Sequence, residues 1–114
     1  MDHQLPLRRP GEPPTLALGT MNFGKRTPAD EAERIVRRAL ERGIRVFDTA
    51  NAYVDGESER ILGRALGKQR DDVVVATKVG FGRTAGKPEG LSPEALEGAL
   101  AGSLERLGTD HVDV

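Results

Sequence analysis

Three glycines set the grain of this chain. Gly43, Gly67 and Gly108 each close a stretch with helical spacing of apolar residues, and a short strand-like run follows each within a few positions. Glycine stops helices because it enters the left-handed conformation without a steric penalty. The helix starts are marked as well. Thr27-Pro28-Ala29-Asp30 predicts a helix with Thr27 as cap, Pro28 in the first turn and Asp30 facing the free amides. Ser58 is the expected cap of a second helix, and Ser92-Pro93 opens a third. The apolar stripes are Ala32, Ile35, Val36, Ala39 and Leu40, then Ile61, Leu62, Ala65 and Leu66, then Leu96, Leu100, Leu104 and Leu107.

Between these helices lie the expected strands Thr15–Leu18, Ile44–Thr49 and Asp72–Val79, with a fourth beginning at His111–Val114. The valines of the third suit a strand buried on both faces. Residues 80–91 read as one long loop, and residues 1–14, with Pro6, Pro10, Pro13 and Pro14, as an extended lead-in. The order is β-α-β-α-β-α-β, which implies parallel strands joined by crossovers. Two architectures share that order, the (β/α)8 barrel and the open doubly wound sheet. A complete barrel needs about 250 residues, and this chain has 114, so the choice falls to motifs.

Charge excludes little by force and favours little. Seventeen basic and eighteen acidic residues give a net charge of −1, which offers no footprint for nucleic acid or an anionic membrane. The arginines alternate with glutamates along helices, as on a solvated face. Cysteine is absent, so disulfides and thiolate chemistry are excluded, and no metal site is expected. The longest strongly apolar run, Val73–Ala76, is far short of the roughly 20 residues of a membrane span. A cytoplasmic protein is the expectation.

One motif is a decoy. Gly80-Phe81-Gly82-Arg83-Thr84-Ala85 matches G-x-G-x-x-A directly after a strand. A dinucleotide fingerprint needs those glycines to open a helix whose free amides face the pyrophosphate. Gly86, Pro88 and Gly90 follow instead, and no helix begins before about Ser92. A flexible loop or lid is the better reading.

Asp48, Tyr53 and Lys78 form the informative constellation. Each lies at or just past the carboxyl end of an expected strand, the edge where parallel-sheet enzymes gather their chemistry. Singly, the three are a turn residue, a packing residue and a surface lysine. Together they weigh more, because Tyr53 is the chain's only tyrosine and consecutive strands are usually neighbours. A free phenol titrates near 10 and is a reluctant acid at neutral pH. An ammonium beside it favours the phenolate, and a carboxylate keeps that ammonium charged and oriented. Such a trio protonates an oxygen on which negative charge is developing.

Leu16–Gly24 (LALGTMNFG), Phe47–Leu66 (FDTANAYVDGESERILGRAL) and Val73–Gly80 (VVVATKVG) together resemble the aldo-keto reductase superfamily, its general bacterial members in particular. The helix ahead of Leu104–Val114 belongs to the same likeness, and only the proline-rich lead-in lies outside it. The resemblance implies an NADPH-dependent reduction of small aldehydes or ketones on a (β/α)8 barrel, of which residues 15–114 make about the first three and a half βα units. It implies Tyr53 as general acid, Lys78 as the group that tunes it, and Asp48 as the partner of Lys78. Gly19, Thr20, Met21 and Asp48 are the implied cofactor neighbours.

The family's catalytic histidine is expected beyond Val114. His111 precedes the fourth strand and reads as an exposed turn residue, while His3 has no visible role. An interrupted barrel exposes sheet edges and an inner layer, including valines of the third strand and Phe47 or Val46 of the second, and such a surface favours self-association. A piece of a longer protein or a truncated gene product is expected ahead of a half barrel that pairs with another copy. A non-catalytic scaffold or regulatory subunit is the rival function. The expected preference for NADPH comes from the resemblance alone.

Overall fold

The structure, a computed structural model, describes residues 10–11, 15–84 and 86–114. Apart from Pro10 and Gly11, the lead-in expected over residues 1–14 lies outside the described residues. Three parallel strands form the sheet: β1 (Ala17–Gly19), β2 (Val46–Asp48) and β3 (Val74–Ala76), in the order β1-β2-β3. They are joined by α1 (Ala29–Glu41) and α2 (Glu57–Leu66), and α3 (Pro93–Leu107) follows β3. The parallel sheet with flanking helices is the expected partial (β/α)8 arrangement. Each regular strand is shorter than its expected run, although single bonds such as Thr49 N–H to the Ala76 carbonyl carry the pairing past the strand ends.

Side chains alternate across a strand, and the register turns that alternation into a layer. Leu18, Phe47 and Val75 lie opposite one another, and Phe47 and Val75 are fully buried beneath the helices. Burying each stabilises the fold by about 1.5–3 kcal/mol. Val36, Ile61 and Leu62 meet them from α1 and α2, as the stripes predict. Phe47 is thus not on the uncovered layer. That layer holds Val46, Val74 and Ala76, all half-buried, because they alternate with Phe47 and Val75 along the strands and so point away from the helices. β3 is accordingly buried on one face rather than both.

Several local expectations shift for identifiable reasons. The cap of α1 is Pro28 rather than Thr27, without a side-chain bond. Ser58 does not cap α2: Gly56 does, in the left-handed conformation, and the buried Ser58 hydroxyl donates to the Phe23 carbonyl at 2.7 Å. Ser92 caps α3 as expected, accepting from Ala95 N–H at 3.1 Å. The leucine stripe of α3 is only partly used. Leu107 is buried, but Leu96 and Leu100 are 42% and 46% exposed, because α2 meets α3 at its second half, where Ser103 and Leu107 face inward.

The stretch over residues 80–91 is not all loop. It carries a small antiparallel hairpin, β4 (Arg83–Thr84) and β5 (Lys87–Pro88), with Gly86 at positive φ beside the turn. Residues 111–114 run along β3 without a regular ladder: Asp113 N–H donates to Val75 O at 2.9 Å, and Thr77 N–H donates to Val114 O at 3.0 Å. Arg70 secures them through Asp113, at 3.0 Å. His111 is half-buried rather than exposed, with Nδ1 2.7 Å from Asp110 Oδ1.

Candidate active site

Asp48, Tyr53 and Lys78 come together at the carboxyl ends of β2 and β3. Lys78 Nζ donates to both Asp48 carboxylate oxygens at 2.9 Å and to the Thr49 carbonyl at 2.8 Å. The Tyr53 hydroxyl lies 3.3 Å from the same nitrogen, and the ring centroid 5.1 Å from it. Partial burial works against the lysine charge, but the hydrogen bonds to Asp48 and Tyr53, with the attraction of Asp48, outweigh it. The ammonium is held above its ordinary value. The arrangement is a fixed cation under a phenolic oxygen.

Position follows from local chain chemistry. Asp48 is the last residue of β2, and Lys78 lies two residues past β3. Tyr53 sits on a tight helical turn, Tyr53–Gly56, whose next two residues are left-handed: Val54 at φ 51° and Asp55 at φ 53°. A β-branched residue there is a true outlier, and each such conformation costs of order 1–3 kcal/mol. The backbone is held in place by Tyr53 N–H donating to Ala50 O at 3.2 Å.

Asp48 and Tyr53 border a cleft of about 350 Å³ that Gly19, Thr20 and Met21 also line, among others. Gly19 and the largely exposed Met21 flank its mouth. A Cβ built on Gly19 meets nothing within 4 Å, so the backbone edge there is open to a flat ring. Thr20 is turned inward: its hydroxyl donates to the Asp48 carbonyl at 3.1 Å and is buried. A larger groove of about 740 Å³ runs between the β4–β5 hairpin and α3. None of the trio lines it, so size does not mark the chemistry here.

Sequence reasoning missed the residues that support this site. Glu59, fully buried, accepts from Arg106 Nε at 2.7 Å and from the Thr77 hydroxyl at 2.8 Å. Glu89 accepts from Asn51 Nδ2 at 2.9 and 3.0 Å and from Gly80 N–H at 3.1 Å. The Asn51 side chain lowers the Glu89 carboxyl below its usual range; burial opposes this, and the Gly80 amide assists. Both clusters join residues far apart in sequence, and no motif flags them.

Aldo/keto reductase family sequences match residues 15–114, and the chain belongs to that family. A holo aldo-keto reductase of Bacillus halodurans is 39% identical, with a TM-score of 0.75 over 86% of this chain and 33% of that one. An aldo-keto reductase of Klebsiella pneumoniae, solved in complex with NADPH, is 33% identical, with a TM-score of 0.68 over 87% of this chain and 33% of that one. A rice protein (Oryza sativa subsp. japonica) named a probable voltage-gated potassium channel subunit beta is 38% identical over 97 residues, 82% of this chain and 30% of its own length. The chain thus spans about a third of the length of the relatives it matches.

Proposed function

We propose that this chain supplies the phenol-bearing side of an NADPH-dependent reductase of small aldehydes and ketones. In this reading residues 15–114 form the family unit, with residues 1–14 a lead-in. The observation that carries it is Lys78 Nζ shared between the Asp48 carboxylate and the Tyr53 hydroxyl. The NADPH-bound Klebsiella relative and the open backbone at Gly19 support the cofactor.

Gly19 and Met21 would hold the nicotinamide end of the cofactor, and Asp48, paired with Gly19 across the strands, lies between that edge and Lys78. Bound NADPH supplies the hydride that the carbonyl carbon takes up. Tyr53 gives its hydroxyl proton to the carbonyl oxygen, so hydride and proton together complete the alcohol. The Lys78 ammonium then faces the phenolate left behind until a solvent proton restores it, and Asp48 keeps that ammonium charged and aimed. Glu59 and Thr77 touch no reacting atom. A non-catalytic scaffold, the rival reading that the rice relative's name also raises, finds less support, because the proton-donating Tyr53 and the Asp48–Lys78 pair that serves it are all present, with Lys78 Nζ against both partners. We also propose that the isolated polypeptide self-associates through its open sheet.

The test is NADPH oxidation with 4-nitrobenzaldehyde, followed by absorbance. Tyr53→Phe should lower the rate by about 10²–10⁴ while leaving cofactor binding intact. Absence of both turnover and NADPH binding in the parent protein would remove the catalytic reading, and family membership would stand.

A further inference from the structure

Glu59 is the one fully buried carboxylate among the described residues, and the proposed chemistry does not use it. Its two oxygens face different parts of the fold. Oε2 accepts from the hydroxyl of Thr77, the residue directly before Lys78. Oε1 accepts from Arg106 Nε on α3. The Arg106 side chain in turn lies flat against Gly56, where a Cβ would fall 2.6 Å from Cδ and 3.0 Å from Nε. Gly56 ends the turn that begins at Tyr53. One buried ion pair therefore touches the strand exit that carries the lysine and the turn that carries the phenol.

The turn does not hold its shape unaided. Val54 and Asp55 are both left-handed, and such backbone persists only where its surroundings over-determine it. Arg106 is the wall on the far side of that turn. Thr77 lies past the last regular residue of β3, where Thr77 N–H donates to Val114 O at 3.0 Å and Asn51 N–H to Lys78 O at 3.2 Å; its side chain adds a third anchor, the one that reaches Glu59. Stability alone gives little reason for an ion pair here, since well-packed apolar side chains of similar volume usually hold elements together as well or better. Its directional bonds do what apolar packing does not: they fix where two separate backbones stand.

We propose that the Glu59–Arg106 pair is a positioning device for the site: it sets the Lys78–Tyr53 distance by tying Thr77 and the Tyr53–Gly56 turn to one buried point. This rests on the reading of Tyr53 and Lys78 given above. Glu59 acts through Thr77, and Arg106 acts through Gly56.

Tyr53 is the only tyrosine, so tyrosine labelled with carbon-13 at Cζ gives one resonance that reports the environment of its hydroxyl. Lys78→Met tests the underlying contact and should displace that resonance. Thr77→Val and Glu59→Gln should displace it in the same direction, with circular dichroism unchanged, and Thr77→Ser should restore the parent position. A resonance that stays put in Thr77→Val and Glu59→Gln while Lys78→Met moves it overturns the positioning role and spares the catalytic reading. A resonance unmoved by Lys78→Met overturns the contact on which both depend. If Glu59→Gln fails to fold, the Thr77 pair decides, because Thr77→Val removes one hydroxyl and leaves the buried ion pair whole.

Discussion

Lys78 keeps its charge in a half-exposed position because four oxygens converge on it. Its value in the folded protein is raised above that of the unfolded chain. The contribution of its contacts is therefore complete below about pH 10.4, the ordinary lysine value, and is lost as pH rises through the folded value. Its side chain and that of Asp48 are 47% and 40% exposed, so solvent screens much of the effect. The melting temperatures of the parent and Lys78→Met should differ by a small, constant amount at neutral and mildly alkaline pH and converge in strong alkali. A gap that widens there would contradict the assignment. The trio was legible in the sequence because strand ends in a parallel sheet have a known destination. Ser58 and Glu59 were not. A hydroxyl ahead of a helical stripe reads as a cap, and Ser-Glu-Arg reads as solvated surface. Nothing local announces that the Phe23 carbonyl will meet the one and Arg106 of α3 the other.

Between elements, α2 meets α3 closely, and that approach rests on the absence of a side chain. A Cβ on Gly63 would lie 2.2 Å from the Leu107 carbonyl oxygen. Alanine ordinarily gains about 1 kcal/mol over glycine inside a helix, and Gly98 in α3, with nothing within 4 Å of its ideal Cβ, should show that gain. Gly63→Ala should instead destabilise the fold by about 1–3 kcal/mol, the usual cost of overpacking. Denaturant titration of the two variants measures both signs, and a stabilised Gly63→Ala would mean the helices do not meet as described. Helix periodicity revealed the α1 and α2 stripes because both lie along the sheet. It misassigned Leu96 and Leu100, since spacing shows that leucines share a face and not whether another element covers it. The hairpin tie is also invisible to spacing. Its Glu89 value is lowered, so the contribution is present above about pH 4.3, the ordinary glutamate value, and is lost as pH falls through the folded one. The Gly80 amide resonance should titrate with a midpoint below that ordinary value, and one at or above it would leave the Asn51 clamp without support.

At the scale of the molecule, and among the described residues, helices cover the sheet on one side only. Leu18, Phe47 and Val75 face helices, while Val46, Val74 and Ala76 form a half-exposed layer on the other side. Among the described residues, β1 has a strand partner on one edge alone, and an unpaired edge is a template for another chain. Leu16 and Met21, beside that edge, are 65% and 61% exposed. Apolar surface next to open backbone donors and acceptors is the combination that promotes association. Sedimentation velocity on the 114-residue chain should therefore show mass rising with concentration, and Leu16→Lys, which places charge beside the edge, should lower it. A single monomeric boundary at every concentration, with parent-like helical dichroism, would show that the open layer is tolerated in water. The surface argument would then fail, while the packing of the helices against Phe47 and Val75 would still account for the folded state.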